Sequence, residues 1–351
     1  MSHKHLLTKL KTYGITGKLL KWIENWLSGR KQRVVINGCS SNWINVTSGV
    51  PQGSVLSPIL FLIFIDDIDN GIKSRISKFA DDTKISMPTF NLENCNLLQN
   101  DINSLCEWAE KWQMSFNADK CNVIHFGSNN TNYPYKMFDQ LLNKSSSEKD
   151  LGIVINDRLK SDSRIDIIVK RANKLLGLIC RSFEYKSVNI TMTLFNSIVR
   201  PHLEYGSQFW NPHFVKDIHK LERVQRRATK VIPCCKNLSY EERLKKLNIL
   251  SLEERRRRAD LIYFYKIINN HVNLDVHKYV DFNQNNTRGH RYKIKKRKFS
   301  TDLSKYSYFN RITDDCNSLP SFVVESLNIS TFKMNLKIHF DSKNTSNDLI
   351  K

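Results

Sequence analysis

The longest apolar run of the chain covers residues 55–65 (VLSPILFLIFI) and limits where this segment can lie. A helix that spans a bilayer needs about 20 apolar residues, so this run is too short, and we expect no membrane partner. The alternative is a helix buried in a protein core. Ser57 can cap such a helix and Pro58 suits its first turn, which predicts that the helix begins at these residues.

The charge of the chain points to a polyanionic partner. Among 351 residues there are 55 Lys and Arg against 34 Asp and Glu, which gives a formal charge of +21. Each cation that neutralises a phosphate releases a condensed counterion, so such an excess favours nucleic acid. An acidic membrane surface would fit the charge as well, and charge alone does not identify the partner.

The cysteines and the first residues bear on the compartment. The 8 cysteines are scattered, with no C-x-x-C pair and no paired histidines at zinc-finger spacing, which argues against a structural zinc site. Scattered thiols are typical of a reducing compartment. The opening MSHKHLLTKL lacks the apolar segment of a secretory signal. We therefore expect an intracellular protein of the nucleus or cytoplasm, not a secreted one.

The chain divides into two regions of different pattern. Up to about residue 157, predicted strands such as 30–38 and 42–49 alternate with predicted helices, including one over 91–112. Beyond residue 158 the pattern is helical and strongly basic. Ser239 with Glu242, and Ser251 with Glu254, predict two capping boxes there. The whole pattern indicates an α+β region followed by an α-helical region.

The tetrapeptide FADD (79–82) raises a choice between a solvated turn and a metal site. Its flanking residues predict a β-hairpin with both Asp81 and Asp82 at the tight turn. Adjacent carboxylates disfavour each other's ionised form unless a cation neutralises them, and Mg²⁺ prefers such oxygen ligands. A solvated turn explains an isolated Ala-Asp-Asp better, so the choice depends on the other motifs.

Residues 48–54 (SGVPQGS), which we call the PQG loop, precede the apolar helix. Two glycines around Pro51 and Gln52 make a stiff turn with exposed backbone, where a ligand can approach closely. Taken alone, the PQG loop is a junction between a loop and a helix and indicates no function.

The two motifs together resemble the reverse transcriptase of non-LTR (LINE-type) retrotransposons, most closely the jockey-like group. SGVPQGSVLSPILFLIFIDDI (48–68) is similar to polymerase motif B, and FADD is similar to motif C, with Phe79 where many relatives have Tyr. MSFNADKCNVIHFG resembles the motif D region, and KDLGIVIND the primer grip. Segments such as VRPHLEYGSQFWNP and LERVQRRATKVI extend the resemblance through the helical half.

The resemblance implies a division of the chain into polymerase parts. The implied fold is α+β, an incomplete polymerase palm (an antiparallel sheet with helices) followed by an α-helical thumb and C-terminal region. The implied segments are a partial palm at 1–127 with motifs B, C and D, a primer-grip-like connector at 128–157, a thumb-like basic region at 158–282 and a basic tail at 283–351.

The implied activity is that of an RNA-directed DNA polymerase, which uses two metal ions, Mg²⁺ or Mn²⁺, for nucleotidyl transfer. Its partners would be an RNA template, a DNA primer and deoxynucleoside triphosphates, and any protein partners are unknown. By resemblance, Asp81 is the principal metal ligand from motif C, and Asp82 assists it.

The resemblance also suggests roles for residues around the metal ligands. Pro51, Gln52 and Gly53 would line the nascent base pair, and the ring of Phe79 would lie beneath the primer end. Lys120 is a candidate general acid for the release of pyrophosphate, although a solvated lysine at a strand edge fits this position equally well.

Residues 220–230 (KLERVQRRATK) predict an amphipathic basic helix. Leu221, Val224 and Ala228 share one face, and most of the basic residues lie on another. Such a charge run is usually a solvated face, and local acidic residues can pair with it. In a polymerase thumb the same face would bind the phosphate backbone of the template–primer without reading its sequence. We favour this function for four residues, namely Arg223, Arg226, Arg227 and Lys230.

A two-metal site also needs a carboxylate from motif A. In the family that this chain resembles, motif A lies shortly before a helix like SHKHLLTKLKTYGI, which here begins at Ser2. We therefore expect the motif A aspartate to fall before Met1 and the chain alone to be inactive. The alternatives are a non-catalytic basic fragment that binds RNA or DNA, and a decayed retroelement remnant.

This expectation predicts that the purified 351-residue chain does not extend a primed poly(rA) template in Mg²⁺ or Mn²⁺, because one metal ligand is absent and phosphoryl transfer depends on this electrostatic stabilisation. The Asp81→Ala variant serves as the blank in the same primer-extension assay. Extension by the natural chain above that blank would refute the prediction.

Overall fold

The computed structural model describes residues 1–127, 129–283 and 290–348. Residue 128 of the predicted connector, and residues 284–289 and 349–351 of the predicted tail, lie outside the described residues. The chain forms two compact units, residues 1–148 and 149–351. The motif-based segment boundaries at 127, 157 and 282 stay predictions.

The first unit contains four α-helices and most of the strands that the structure describes. Its helices are α1 (His3–Thr12), α2 (Gly17–Leu27), α3 (Leu56–Ile65) and α4 (Leu92–Lys111), with 3-10 helices at Asp66–Asp69 and Ala118–Lys120. Its strands are β1 (Lys31–Gln32), β2 (Val35–Ile36), β3 (Cys39–Ser40), β4 (Ile44–Asn45), β5 (Arg75–Phe79), β6 (Asp82–Ser86), β7 (Asn122–Val123), β8 (Lys136–Met137), β9 (Gln140–Leu141) and β10 (Asn143–Lys144).

The second unit is largely helical. Strand β11 (Ser147–Asp150) includes the unit boundary at residue 148, and β12 (Ile153–Asn156) follows it at the start of the second unit. Its helices are α5 (Asp162–Ser182), α6 (Val188–Leu194), a π-helix (Phe195–Val199), α7 (Arg200–Glu204), α8 (Ser207–Trp210), α9 (Val215–Lys230), α10 (Tyr240–Leu247), α11 (Leu252–Ile268), α12 (Asp302–Lys305), α13 (Tyr308–Arg311), α14 (Thr313–Asn317), α15 (Ser321–Val324) and α16 (Ile329–Asp348), with 3-10 helices at Pro233–Cys235 and Val276–Lys278.

The mixture of helices and small sheets agrees with the α+β class. The described strands form six separate two-stranded sheets instead of one continuous sheet, and β7 pairs with β10 in parallel. Most of these strands are only two residues long, too short to recruit further neighbours. The finer assignment to a palm and a thumb is not decided by this architecture.

The core of the first unit forms where α1, α2 and α3 meet. Leu6 and Leu10 of α1 pack with Ile23 and Leu27 of α2 and with Leu60 and Phe64 of α3. The prediction of a buried helix in the apolar run is only half right, because Ile59 and Leu62 lie on a face of α3 that is more than half exposed. No helix among the described residues is long and apolar enough to cross a membrane.

A buried lysine joins three elements of the first unit. Lys9 of α1 is only 2% exposed, and its ammonium donates to the carboxylate of Asp67 at 2.5 Å and to the carbonyl of Phe64. The rings of Phe64, Trp108 and Trp112 surround it, with centroids 4.0–4.7 Å from Nζ. Burial lowers the pKa of Lys9, and Asp67 opposes that shift.

Helices α5 and α9 form the centre of the second unit. The predicted apolar face of α9 is confirmed, because Leu221, Val224 and Ala228 are buried in one cluster with residues of α5. The predicted capping box of Ser239 and Glu242 is present in full at the start of α10. At α11, Ser251 accepts from the amide of Glu254, which is the first half of the second predicted box.

We predict that Asp67→Ala lowers the free energy of unfolding of the first unit by about 3 kcal/mol, because it leaves the buried ammonium of Lys9 without its counter-ion. The double variant Lys9→Met/Asp67→Asn removes the charge and keeps an acceptor for Trp108, and should recover most of the loss. Urea unfolding followed by tryptophan fluorescence measures the first unit, since only Trp210 of the 6 tryptophans lies in the second.

The control for this prediction is Asp69→Ala, which breaks the more exposed ion pair with Lys78. We expect it to cost less than about 1 kcal/mol. Equal losses for Asp67→Ala and Asp69→Ala would contradict the importance of the buried pair.

Candidate functional site

The FADD motif lies at the end of an antiparallel hairpin. Strands β5 and β6 pair from Arg75–Ser86 to Phe79–Asp82, so Ala80 and Asp81 form a two-residue loop. Ala80 has a φ of +51°, in the left-handed region that an L-residue with a Cβ rarely adopts. Both aspartates therefore belong to the four-residue turn Phe79–Asp82, as predicted, and Asp82 is also the first residue of β6.

Asp81 and Asp82 project into solvent at this tip. Both residues are exposed, and within the part of the chain that the structure describes no Lys, Arg or His pairs with either carboxylate. Phe79, opposite Asp82, is 64% exposed. The tip thus presents two free carboxylates beside an exposed aromatic ring.

The base of the hairpin is held by contacts that the sequence reading missed. Asp101 of α4, only 3% exposed, accepts from the amides of Lys73 at 3.1 Å and Ser74 at 2.7 Å and also from the Ser74 hydroxyl. Lys78 of β5 donates to Asp69 at 3.0 Å. The sequence does contain a signal for this role, because Asp101 is a charged residue within the apolar helical stripe between Leu98 and Leu105.

The neighbouring acidic run, residues 66–69, has a different environment from FADD. Tyr13 donates to the carboxylate of Asp66, which raises the pKa of the tyrosine to about 12. Asp67 accepts from Lys9 and, at 2.9 Å, from the indole of Trp108, and Asp69 accepts from Lys78. These three carboxylates have structural partners, whereas Asp81 and Asp82 have none among the described residues.

The PQG loop is held by its flanks and open at its centre. Gly49 and Gly53 have φ values of +77° and +83°, and the carbonyl of Gly49 accepts from His3 at 2.8 Å. Gln52 and Gly53 are exposed, and Pro51 is half-buried. In the described residues no hydrogen bond joins this loop to the FADD tip.

The cap of α3 differs from the predicted one. Ser54 accepts from the amide of Ser57 at 3.1 Å, and the Ser57 hydroxyl donates to the carbonyl of Pro51. The helix begins at Leu56, one residue before Ser57, with Val55 as an N-cap residue that supplies no side-chain cap, and Ser54 binds a first-turn amide instead. Pro58 lies in the first turn, as predicted.

Lys120 ends a 3-10 helix (Ala118–Lys120) shortly before β7 and is exposed. The neighbouring Asp119 accepts from Gln140 at 2.7 Å, which fixes the backbone around it. These contacts are compatible with both predicted roles of Lys120, the general acid and the solvated lysine.

The donor chemistry of the hairpin tip fits a hard divalent cation. Mg²⁺ typically binds one or two protein carboxylates and completes its shell with water and phosphate oxygens, and Asp81 and Asp82 supply carboxylates free of competing cations. Within the described ranges, no group of three or more His, Cys, Asp and Glu side chains is arranged to hold a metal ion.

The four predicted backbone-binding residues share the solvent face of α9. Arg223, Arg226, Arg227 and Lys230 are all exposed. Three of them, Arg226, Arg227 and Lys230, line a cleft of about 320 Å³ together with Val231 and Arg243. Arg243 is a residue that the sequence reading missed.

Arg243 lines this cleft and is nearly buried. It is 7% exposed and donates to the carbonyl of Arg226 at 2.7 Å and to the hydroxyl of Thr229 at 3.1 Å. Tyr240 lies under the guanidinium of Arg226 at 4.1 Å. The cleft therefore concentrates positive charge on one side of α9.

Helix α5 extends the basic surface. Lys220 of α9 donates to Asp166 of α5 at 2.7 Å, and Arg227 of α9 donates to Asn173 of α5 at 3.3 Å. The second contact lies seven residues further along both helices, so α5 and α9 run parallel. Lys170 lies between Asp166 and Asn173 on the same face of α5 and is exposed. We call the surface formed by Lys170, Arg223, Arg226, Arg227 and Lys230 the basic groove.

Comparison with known proteins gives one family. The model of the family described as "Reverse transcriptase (RNA-dependent DNA polymerase)" matches residues 1–179. The RNA-directed DNA polymerase from mobile element jockey of Drosophila funebris is 28% identical over 244 residues, which cover 66% of this chain and 26% of that protein.

Two further relatives come from Drosophila melanogaster. The probable RNA-directed DNA polymerase from transposon X-element is 26% identical over 225 residues, which cover 61% of this chain and 25% of the relative. The probable RNA-directed DNA polymerase from transposon BS is 25% identical over 261 residues, which cover 66% of this chain and 27% of the relative. These matches confirm the resemblance to jockey-like reverse transcriptases, and the chain spans about a quarter of the length of these relatives.

We predict that Asp101→Ala loosens the hairpin at its base, because three donors from Lys73 and Ser74 lose their acceptor. An unsatisfied buried group costs about 1–3 kcal/mol, so amide hydrogen exchange should accelerate across residues 75–86 while α16 is unchanged. Ser104→Ala, on the exposed side of α4, is the matched control. Equal protection of the hairpin in both variants would refute the anchoring role of Asp101.

Proposed function

The chain belongs to the reverse transcriptase (RNA-dependent DNA polymerase) family, and on that premise we propose that it contributes the motif C metal ligands and a nucleic-acid-binding surface to an RNA-directed DNA polymerase of a non-LTR retroelement. The observation that carries this proposal is the exposed, unpaired Asp81–Asp82 pair on a hairpin with an anchored base, inside the segment that matches the family.

The hairpin tip would hold Mg²⁺ or Mn²⁺ through Asp81, with Asp82 assisting. When bound, the metal ions would polarise the phosphoryl oxygens and stabilise the charge that develops in nucleotidyl transfer. The role of the chain is to hold two carboxylates in place without an internal cation to compete for them. The anchored base supports this role, since the positions of metal ligands need rigid support.

The residues around the tip are proposed to position substrates. Gln52 and Gly53, exposed on a loop held from both sides, would contact the nascent base pair, with Pro51 stiffening the turn. Phe79 offers a flat apolar ring to the primer end. Lys120 is proposed as the general acid. The substrates would be an RNA template, a DNA primer and deoxynucleoside triphosphates.

The basic groove is proposed to bind the phosphate backbone of the template–primer. Its cations lie along two parallel helices, and Arg243 adds charge from below. Phosphate contacts fix position without reading sequence, which suits an enzyme that copies any template. On this proposal residues 1–127 belong to a palm and 158–282 to a thumb, joined by the connector, and the protein works inside the cell, in the nucleus or cytoplasm.

Metal binding tests the polymerase proposal directly. In electron paramagnetic resonance titrations of the 351-residue chain with Mn²⁺ and template–primer, we expect Asp81→Asn to weaken binding roughly tenfold or more, since even loss of an outer-shell partner costs that much. Asp69→Asn, an aspartate with a structural partner, is the control. Equal binding by the natural chain and Asp81→Asn would refute the assignment.

A second candidate is a nucleic-acid-binding protein without polymerase activity. The basic groove favours it, because the groove is complete within the second unit and does not involve FADD. The two candidates differ in the effect of Asp81→Asn, which would leave Mn²⁺ binding unchanged in a protein that only binds nucleic acid.

The basic groove generates a quantitative prediction. Arg223→Gln/Arg227→Gln should reduce the slope of log K against log salt for an RNA–DNA hybrid by about 1–2, because each lost phosphate contact removes roughly 0.7–0.9 from the slope. Fluorescence anisotropy over a salt series measures it.

The matched control is Lys333→Gln/Lys337→Gln, which neutralises two exposed cations at the same spacing on α16. It removes equal charge at a site outside the groove, and its slope should equal that of the natural chain. Identical slopes for both double variants would overturn the assignment of the groove.

A further inference from the structure

The first unit carries an exposed β-arm that the polymerase proposal does not use. Strands β1 to β4 fold into one interrupted antiparallel hairpin, residues 31–45, in which β1 pairs with β4 and β2 with β3. Asn37 and Gly38 close it with φ values of +48° and +83°, as a type I′ turn requires. Every residue from 31 to 45 is exposed.

The base of this arm is fixed to α2 and to the PQG loop. Arg30 donates from Nε to the carbonyl of Leu27 at 3.2 Å and from Nη2 to the carbonyl of Gly49 at 3.4 Å. The amide of Val46 donates to the carbonyl of Arg30 at 2.8 Å. The arm, the end of α2 and the start of the PQG loop are therefore held together at Arg30.

Two aromatic platforms lie on these elements. On α2 the indoles of Trp22 and Trp26 are parallel within 7°, with centroids 6.3 Å apart, and Trp22 is 55% exposed. On the arm the guanidinium of Arg33 lies over the ring of Trp43 at 4.7 Å, and Trp43 is 58% exposed. Trp22 and Trp43 are each more than half exposed to solvent.

The arm and its base carry only positive charge, and the α2 platform carries Glu24 beside its lysines. Between Asn25 and Ile65 the sequence contains no Asp or Glu, while Arg30, Lys31 and Arg33 fall within the arm and its base. Lys18 and Lys21 of α2 flank Trp22, and both are exposed. A protein partner with a mixed surface would leave these cations uncompensated, whereas a polyanion with flat bases matches both the charge and the rings.

We propose that Trp22 and Trp43, with their flanking cations, bind unpaired bases of a single-stranded nucleic acid by stacking. Aromatic platforms beside a basic surface bind single strands without sequence preference, because every base has a π-face. The proposal deepens the polymerase function and rests on it. The single strand would run along the arm toward the PQG loop, which follows β4 directly.

Fluorescence anisotropy with the full chain and a short oligouridylate tests this inference. Trp22→Ala/Trp43→Ala should bind the single strand more weakly by roughly thirtyfold or more, the expected effect of losing two stacked bases. Its affinity for a blunt RNA–DNA hybrid should be unchanged. Phe90→Ala removes an aromatic ring that is 89% exposed and lies away from any cluster of cations in the sequence, so it should bind both ligands normally.

A spectroscopic measurement separates stacking from a structural role. Oligouridylate should quench the tryptophan fluorescence of the natural chain. Trp22→Phe/Trp43→Phe keeps a ring for stacking, so it should keep most of the affinity and lose most of the quenching. Circular dichroism and thermal melting check the fold, and the single variant Trp43→Ala, on the fully exposed arm, repeats the test if the double variant is unstable.

Three outcomes would overturn the inference. They are unchanged binding of oligouridylate by the alanine variant, equal losses for oligouridylate and the hybrid, and a change in oligomeric state on analytical ultracentrifugation, which would make the surface a protein contact. Because the basic-groove variants test hybrid binding separately, a failure here leaves the proposed function standing, whereas loss of both effects would remove it as well.

Discussion

The placement of FADD depends on the buried ammonium of Lys9. A desolvated charge is costly unless it is paired, and Lys9 meets this requirement only where α1, α3 and α4 converge. The carbonyl of Phe64 fixes the end of α3, Asp67 fixes the 3-10 helix that follows it, and the indole of Trp108 binds the same carboxylate from α4. The chain then enters β5, so the start of the hairpin is set by this network.

From that base the hairpin becomes progressively less constrained. Asp101 satisfies the backbone just before β5, Lys78 is held one residue before the end of that strand, and the carboxylates of Asp81 and Asp82 have no side-chain partner among the described residues. Ala80 instead carries a positive φ, which costs of order 1 kcal/mol for a residue with a Cβ. Strain persists only when the surroundings enforce it, and the pairing of β5 with β6 on both sides of Ala80 supplies that enforcement. A rigid base and a strained tip are suited to presenting Asp81 in one direction.

How far the sequence predicted this site depended on the range of the interactions. The hairpin, α4 and the Ser239 capping box follow from local patterns and are confirmed. The turn lies where the sequence predicts it, because the alternation of β5 continues through Phe79 and the turn then includes both aspartates. The α3 cap was misplaced, since Ser54 and Ser57 both suit an N-terminus.

The long-range contacts could not be obtained in this way. Lys9 and Asp67 are 58 residues apart, and a lysine in a short helix is normally solvated. Residues 66–69 and 81–82 are both acidic clusters in sequence, and only the structure separates carboxylates with internal partners from carboxylates without them. One signal was present, since Lys9 and Asp101 each interrupt an apolar helical stripe, where a charge needs a buried partner.

In the second unit, the buried acidic side chains likewise bind internal donors and so do not neutralise the outer face of α9. Glu222, on the buried face of α9, accepts from the hydroxyl of Tyr240 and from the amide of Leu252. Asp260 of α11 accepts from Arg311 through both carboxylate oxygens, at 3.0 and 3.1 Å. Burial raises the pKa of Asp260, and Arg311 opposes that shift. These acids serve internal donors and do not reach the outer face of α9. Arg223 and Lys230 consequently have no carboxylate within 4 Å among the described residues, and their charges face solvent.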